Sequence, residues 1–296
     1  MNNLFIVGVG RSGTSLLQSM MDSHSQVTFL PETQFVRSFL RNSDSKTLQS
    51  KEEIQKIIRQ GTIGERIPEA KLDMIFASME EKTSFKTFYN CLLGMNEDVA
   101  KLEYYGDKDP RLLDYIEVIA KNFPSARILH IYRDPRDIVL SKTKADWSKS
   151  RSFWVHAMIG QAQISNGRKK GKQYFGDNFI ELKYEELIDH PEEILKMICN
   201  KLGLEFEKQM LDYQRSSKRL VSTDELQWKK ETLKPLMRNN VEKWRNGFSG
   251  IKIWVIENLT PEWFDQLNYK RSNTGLSSWM FRPLVALLNT LYTFRL

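Results

Sequence analysis

The segment LFIVGVGRSGTSL, residues 4–16, constrains the fold more than any other part of the chain. The apolar run from Leu4 to Val7 predicts a buried strand. Three glycines follow, and the apolar spacing from Leu16 onward predicts a helix. A strand, a glycine-rich turn and a helix N-terminus direct backbone N–H groups toward an anion such as phosphate. The segment therefore predicts an anion-binding loop in an α/β fold.

The spacing in this loop also limits which anion it can hold. Gly8-x4-Gly13-Thr14-Ser15 differs at one position from the nucleoside-triphosphate loop G-x-x-x-x-G-K-[ST], because Thr14 stands where that loop has lysine. In the triphosphate loop the lysine reaches the β- and γ-phosphates. Its absence favours a nucleotide whose 5′ end is not a triphosphate.

A second segment, ARILHIYRDPRDIVLS at 126–141, predicts another phosphate contact. Its strand, Arg127 to Tyr132, is followed by Arg133, where a triphosphatase usually has an aspartate for Mg²⁺. Arginine suits bidentate phosphate binding. Ser141, two turns into the next helix, adds a hydroxyl. Together the two segments indicate a nucleotide phosphorylated at both ends.

From about residue 4 to about residue 265 the chain resembles the sulfotransferases that use 3′-phosphoadenosine 5′-phosphosulfate (PAPS), in particular the Golgi carbohydrate and tyrosylprotein branch. Five segments match the motifs of that family in the same order: GVGRSGTSLL, YYGDKDPRLLDYI, YRDPRDIVLS, IELKYEELIDHPEEILKMICNKLGLEF and KPLMRNNVEKWRNGFS. The form of the chain suggests a bacterial member of the family.

The resemblance and the alternation of elements imply an α/β fold: a central parallel sheet flanked by helices, P-loop-like, with a helical insertion. We expect one sulfotransferase domain at 1–270, an acceptor-side insertion at about 34–100 and an apolar helical tail at 271–296. The expected strands are residues 4–7, 27–29, 127–132 and 179–183, and the expected helices include 112–122, 137–146, 153–170 and 192–202.

The resemblance also implies PAPS as the cofactor and adenosine 3′,5′-bisphosphate as the product. The expected donor-binding residues for the 5′ end are Arg11, Ser12, Gly13, Thr14 and Ser15. Those for the 3′-phosphate are Arg133 and Ser141. More loosely, Tyr184 is expected to contact the nucleotide, and Lys243, Trp244 and Arg245 to close over the 3′-phosphate.

Glu32, Lys108 and Arg11 are the candidate catalytic residues. Glu32, in FLPETQF, follows the second strand and resembles the base in the E-E-T-R segment of the tyrosylprotein branch, although Gln34 replaces its arginine. Lys108 and Arg11 would stabilise the departing phosphate, and the chemistry needs no metal. The alternatives are an ordinary helix-first-turn acid at Glu32, a surface lysine at Lys108 paired with a neighbouring aspartate, and His24 as the base.

Composition sets weaker limits. The net charge of +7 suits an anionic cofactor, whereas the scattered basic residues and the lack of a nucleic-acid module argue against nucleic acid. The basic cluster 168–172 predicts a solvated loop. Cys91 and Cys199 fit apolar helical patterns and predict buried thiols in a reducing compartment. Because only three residues precede the first strand, we expect a cytoplasmic protein.

The apolar C-terminal segment is too short to span a bilayer. It predicts a helix docked on the core or on a second subunit, or a peripheral contact with the inner face of the membrane.

The function expected from the sequence is sulfuryl transfer from PAPS to a hydroxyl. Two alternatives remain: a P-loop kinase or NTPase with a degenerate loop, and a nucleotide- or polyanion-binding module without turnover. The acceptor is open among glycans, glycolipids, small metabolites and peptide tyrosine, with glycans or glycolipids preferred.

Overall fold

The computed structural model describes residues 2–40, 48–94, 102–220, 233–236, 240–272 and 282–295. Five of its strands form one parallel sheet in the order β2-β5-β1-β6-β7, and two short strands pair antiparallel as β3 and β4. The strands are β1 Asn2–Val7, β2 Val27–Phe29, β3 Gln49–Ser50, β4 Lys82–Thr83, β5 Tyr104–Lys108, β6 Arg127–Tyr132 and β7 Phe179–Lys183. The expected central parallel sheet is therefore confirmed.

Helices connect the strands and cover both faces of the sheet. They are α1 Thr14–Asp22, α2 Lys51–Arg59, α3 Thr62–Arg66, α4 Glu69–Ser78, α5 Phe85–Leu93, α6 Ile116–Asn122, α7 Pro135–Lys144, α8 Phe153–Phe175, α9 Tyr184–Asp189, α10 Pro191–Leu202 and α11 Gln214–Leu220, with later helices at Trp244–Gly247, Gly250–Leu259, Pro261–Asp265 and Arg282–Arg295. Val36–Leu40 forms a π-helix, and 3₁₀ turns lie at Pro110–Tyr115, Gly176–Asn178 and Lys208–Leu211.

The alternation of side chains along β1 divides the core into two layers. Phe5 and Val7 pack on one face with aromatic residues of the insertion, where the rings of Phe35 and Tyr89 stack at 4.6 Å between centroids. Leu4 and Ile6 pack on the other face, against α1 and α10. Because both faces are covered, β1 is a continuous apolar run, as parallel strands usually are.

Three expectations from the sequence need correction. Residues 104–108 form β5, inside the sheet, although no strand was predicted there. The predicted helix 112–122 begins instead as a 3₁₀ turn capped by Asp109, whose Oδ1 accepts the N–H of Arg111. The basic cluster 168–172 is not a loop but part of α8, and Arg168 is buried in ion pairs with Glu181 and Glu262.

The described part of the C-terminal tail is the helix Arg282–Arg295, which packs along α8. Val285 is buried, and the Tyr292 hydroxyl donates to Asp114 at 3.2 Å, whereas Leu287 and Leu291 are exposed. Within the described ranges, no helix combines the length and apolar character needed to cross a bilayer. A second subunit or a membrane surface at the exposed leucines stays a prediction.

Candidate functional site

Each strand of the parallel sheet delivers a predicted site residue to the same edge. The carboxyl ends of parallel strands meet at one edge of the sheet, which is where open α/β folds bind ligands. Arg11 and Gly13 follow β1, Glu32 follows β2, Lys108 ends β5, Arg133 follows β6 and Tyr184 follows β7. One cavity of about 380 Å³ opens at this edge.

At two positions of the loop between β1 and α1, the neighbouring atoms leave space for glycine and for no larger residue. A Cβ on Gly8 would stand 2.4 Å from the carbonyl oxygen of Ile131. Gly13 has φ +99°, and a Cβ there would stand 2.3 Å from the Tyr184 ring. These contacts draw the loop tightly against β6 and α9, so any side chain at either position would push the loop outward.

Ser12 stabilises this loop through two hydrogen bonds. Its side chain is fully buried, its Oγ donates to the Ile131 carbonyl at 3.0 Å, and its N–H donates to the Val9 carbonyl at 3.0 Å. Thr14 and Ser15, the first two residues of α1, line the cavity. The backbone N–H groups at the start of a helix have no partner within that helix, so they are the donors available to an anion.

Arg11 has a left-handed backbone, φ +78°, which few non-glycine residues adopt. Its side chain lines the cavity and its Nε donates to the hydroxyl of Ser141 at 2.9 Å. Ser141 does not itself line the cavity. The pair nevertheless ties the loop to α7, the helix that follows Arg133.

Arg133 is 7% exposed and is held by backbone oxygens from two distant segments. Its Nη2 donates to the Asn240 carbonyl at 2.5 Å and its Nη1 to the Arg11 carbonyl at 3.4 Å. Its guanidinium lies over the Tyr184 ring, 4.5 Å from the centroid. The carbonyl of Arg133 in turn accepts the indole N–H of Trp263 at 2.8 Å. These contacts fix a cation at the wall of the cavity.

Glu32 and Lys108 form an ion pair across the β2–β5 end of the site. Lys108 is fully buried, and its ammonium donates to Glu32 Oε2. Glu32 lines the cavity, whereas Lys108 stands behind it. The alternative of a surface lysine at position 108 is therefore wrong.

Two buried aspartates flank Lys108. Burial raises the pKa of Asp107 to about 7, although its carboxylate accepts the Tyr89 hydroxyl at 2.5 Å and the Lys108 N–H at 2.7 Å. Burial and the neighbouring charge of Glu32 also raise the pKa of Asp109, and the Arg37 guanidinium, 2.7 Å away, opposes that rise. The base candidate thus lies beside two buried aspartates whose pKa values are raised.

The sequence-predicted residues divide into three groups by position. Those that line the cavity are Arg11, Gly13, Thr14, Ser15, Glu32, Arg133 and Tyr184. Ser12, Lys108 and Ser141 lie outside it and contact the lining or the loop. Lys243, Trp244 and Arg245 do not line it.

The segment 243–245 lies beside α7. Trp244 is buried. Its backbone N–H donates to Asp137 at 2.9 Å, and its ring centroid lies 3.8 Å from the Arg136 guanidinium carbon. Lys243 and Arg245 are exposed, and Arg245 pairs with Glu242 at 2.7 Å. In this arrangement Trp244 packs on the helix, whereas Leu236 and Asn240 line the cavity, and the Asn240 side chain donates to the Tyr184 hydroxyl at 2.9 Å.

His24 lies away from the cavity. Its Nε2 is 2.8 Å from the Glu205 carbonyl, and its Nδ1 accepts the N–H of Gln26 at 3.0 Å. One ring nitrogen therefore serves the turn after α1 and the other the segment after α10. The geometry gives no support to His24 as the alternative base.

Several cavity residues were not predicted. They include Arg37, Arg66, Asp109, Arg111 and Asn240. Asp109 and Arg111 lie inside the KDPR segment, whose pattern could have indicated them. Arg66 belongs to a segment without a motif, and only the fold brings it to the sheet edge.

Comparison with known proteins identifies a consistent set of relatives. Residues 3–208 match the profile of the Sulfotransferase family. Protein-tyrosine sulfotransferase A of Caenorhabditis elegans is 25% identical over 255 residues, which cover 81% of this chain and 60% of the worm protein. A protein of Aquifex aeolicus (strain VF5) is 26% identical over 250 residues, which cover 82% of this chain and 30% of that protein. The chain thus spans less than two thirds of the length of either relative.

The fold has solved counterparts. The sulfotransferase domain of the Synechococcus PCC 7002 olefin synthase superposes with a TM-score of 0.67 at 19% identity, over 91% of this chain and 95% of that domain. At this identity the similarity establishes the shared fold.

Proposed function

The chain belongs to the sulfotransferase family, and from that premise we propose that it is an enzyme that transfers the sulfuryl group of PAPS to an acceptor hydroxyl. The observation that carries this proposal is the pairing of two anion sites at one cavity. The glycine loop and the start of α1 supply backbone donors at one site, and Arg133 supplies a fixed guanidinium at the other. PAPS has phosphate groups at both ends of its ribose and matches such a pair.

The loop would hold the 5′ end of the donor. Thr14 and Ser15 offer helix-terminal N–H groups, and Arg11 adds a cation at the cavity wall. Hydrogen bonds between charged groups and oriented donors contribute about 1.5–3 kcal/mol each. Bound there, PAPS supplies an activated sulfuryl group on its 5′-phosphate.

Arg133 would bind the 3′-phosphate, and Ser141 would support it through Arg11. The Tyr184 ring beneath the guanidinium keeps Arg133 flat against the wall, in the planar orientation that phosphate recognition by arginine requires. Tyr184 itself is tied to Asn240, so the ring has a fixed position.

Glu32 is the proposed general base. It is a cavity carboxylate at a strand end, and the buried ammonium of Lys108 holds it in position. The acceptor oxygen forms a bond to sulfur as the bond between sulfur and the 5′-phosphate oxygen breaks, and the hydroxyl proton passes to Glu32. Arg11 and the loop donors, with Lys108 adjacent, offset the charge that develops on the departing phosphate.

We propose a glycan or glycolipid as the acceptor, with small or peptide hydroxyls as the other classes. Trp147, 53% exposed at the cavity, offers a flat apolar surface of the kind that packs on a sugar ring or on a phenol. Since one relative is by name a protein-tyrosine sulfotransferase, tyrosine peptides belong in the panel of acceptors.

The test is transfer of label from [³⁵S]PAPS to a panel of a glycolipid extract, oligosaccharides, phenols and tyrosine peptides, in buffer with EDTA and in buffer with Mg²⁺. We expect labelled product from at least one class of acceptor in both buffers, and its loss in Glu32→Gln. A protein that binds the nucleotide without transferring label to any acceptor would instead be a binding module. Mg²⁺-dependent hydrolysis of ATP would indicate the kinase or NTPase alternative.

A further inference from the structure

Lys142 is a buried lysine that the proposed mechanism does not use. It follows Ser141 on α7 and is only 6% exposed. Its Cε lies 3.8 Å from the point where a Cβ on Gly10 would stand, so the lysine side chain lies next to the glycine loop. Gly10 is one of the residues that line the cavity. Lys142 is not itself a lining residue, and it adjoins the cavity through Gly10.

The charge of this lysine is poorly compensated in the protein alone. Within the described ranges we find neither a hydrogen bond nor an ion pair at Lys142 Nζ. The acid that attracts it is Asp114, whose Oδ2 already accepts Gln163 at 2.8 Å and Tyr292 at 3.2 Å. Burial disfavours the charged form of this lysine, and a bound anion would offset that cost.

The sequence of the loop makes this position informative. Thr14 stands where a triphosphate loop has its lysine, so the loop itself lacks a cation at that point. Lys142 stands against the same loop but comes from α7, a neighbouring element. A phosphate group in the loop would thus meet a lysine supplied by another helix.

We propose that Lys142 replaces the missing loop lysine and binds the 5′-phosphate end of the nucleotide. This inference rests on the proposed function, because it assumes that the loop holds the 5′ end of PAPS. Arg133 would hold the other end, so the two cations would read the two phosphates separately.

The groups that face Lys142 determine how its charge depends on pH. Burial lowers its pKa to about 8; Asp114 from the 3₁₀ turn opposes this, whereas Arg151 before α8 and Arg11 from the loop add to it. His156 of α8 also faces it, and burial and the charge of Lys142 lower the pKa of that imidazole. A bound phosphate would raise the pKa of the lysine, so nucleotide affinity should be highest below pH 8 and fall above it.

The experiment compares two nucleotides by calorimetry at pH 7: adenosine 3′,5′-bisphosphate and adenosine 3′-monophosphate. We expect Lys142→Met to weaken the bisphosphate at least tenfold and to leave the 3′-monophosphate nearly unchanged. Lys144→Met is the matched control, because it removes an exposed lysine from the same helix. Equal affinity of wild type and Lys142→Met for the bisphosphate, or equal losses for both nucleotides, would overturn the proposal. A wild-type protein that binds neither nucleotide would instead contradict the proposed function.

A pH series separates binding from a structural role and does not need the Met variant to fold. From pH 7 to pH 9 the bisphosphate affinity of the wild type should fall by up to about tenfold, as expected for a pKa of about 8. The second ionisation of a phosphate ester, near pH 6, is already complete in this range. Lys142→Arg keeps its charge throughout, so its affinity should be flat from pH 7 to pH 9. A wild type with a flat profile would show that Lys142 does not contact the phosphate.

Discussion

Arg11 Nε donates a hydrogen bond of 2.9 Å to the hydroxyl of Ser141, a residue 130 positions away in the chain. Arg11 belongs to the glycine loop and Ser141 to α7, the helix that follows Arg133. The Arg11 carbonyl also accepts Arg133 Nη1 at 3.4 Å. The two proposed phosphate sites are therefore adjacent at Arg11, and the position of the Arg11 side chain depends on the Ser141 hydroxyl.

Replacing Ser141 by alanine tests that connection. The variant removes the acceptor for Arg11 Nε, so Arg11 loses its fixed position at the cavity. A hydrogen bond to a charged group is worth about 1.5–3 kcal/mol, so the affinity for adenosine 3′,5′-bisphosphate should fall about tenfold or more by calorimetry. Thr143→Ala is the control, because among the described residues the Thr143 hydroxyl bonds only to the Leu140 carbonyl in its own helix turn. The connection has no role in binding if the two variants match the wild type.

The base and its lysine partner can be separated by the choice of acceptor. Glu32→Gln keeps the shape of the side chain but cannot take a proton, so turnover should fall by about 10²–10⁴-fold while PAPS binds normally. Lys108→Met should also lower turnover, through weaker stabilisation of the departing phosphate and a misplaced Glu32. An acidic hydroxyl such as p-nitrophenol needs less help from a base than phenol does.

We therefore expect p-nitrophenol to restore Glu32→Gln more than Lys108→Met, relative to phenol, in steady-state assays with [³⁵S]PAPS. Because the two residues are in contact, the double variant should lose less than the product of the single losses. Equal restoration of the two variants, or near-normal turnover of Glu32→Gln, would remove Glu32 from the role of base.

Asp107 should make the protein less stable as the pH rises. Its pKa is raised to about 7 in the fold against 3.8 for an ordinary aspartate, because burial disfavours the carboxylate. The folded form binds the proton more tightly, so this contribution to stability is fully present below pH 4 and is lost as the pH rises to about 7. Between pH 5 and pH 8 the loss is about 3 kcal/mol, at about 1.4 kcal/mol for each pH unit up to 7.

Asp107→Asn keeps the side chain neutral at every pH. The difference between its free energy of unfolding by urea and that of the wild type should therefore shift in favour of the variant from pH 5 to pH 8. The exposed Asp189→Asn provides the control and should follow the wild-type profile. Parallel profiles for Asp107→Asn and wild type would mean that Asp107 is already ionised at pH 5.

The sheet and most residues of the candidate site were predictable because they follow short, regular patterns. Apolar runs predict β1 and β6, and the residues that come directly after them, the glycine loop and Arg133, form the walls of the cavity. The strand β5 was not predicted because it ends in two charged residues, Asp107 and Lys108, so its sequence is not an apolar run. In the fold the strand is nevertheless buried along its whole length. Burial of those charges depends on ion pairs and hydrogen bonds with distant residues.

The features that could not be predicted from the sequence are those that depend on long-range packing. Arg168 lies in a run of basic residues typical of a solvated loop, and it is buried only because Glu181 of β7 and Glu262 meet it. Trp244 matches a cofactor segment by resemblance; in the fold its ring packs on Arg136, and its contact with the nucleotide stays a prediction. No sequence motif marks Lys142, because its proposed role depends on the position of α7 beside the glycine loop.

The central claim is that one nucleotide is held by separate sites at its two phosphates, and calorimetry on wild type and Arg133→Ala tests it most directly. In EDTA the wild type should bind adenosine 3′,5′-bisphosphate at least tenfold more tightly than AMP or ATP, since each phosphate contact is worth about 1.5–3 kcal/mol. Arg133→Ala should lose an order of magnitude or more for the bisphosphate and leave AMP almost unchanged. Equal losses for the bisphosphate and AMP, or tighter binding of Mg²⁺–ATP than of the bisphosphate, would contradict the account.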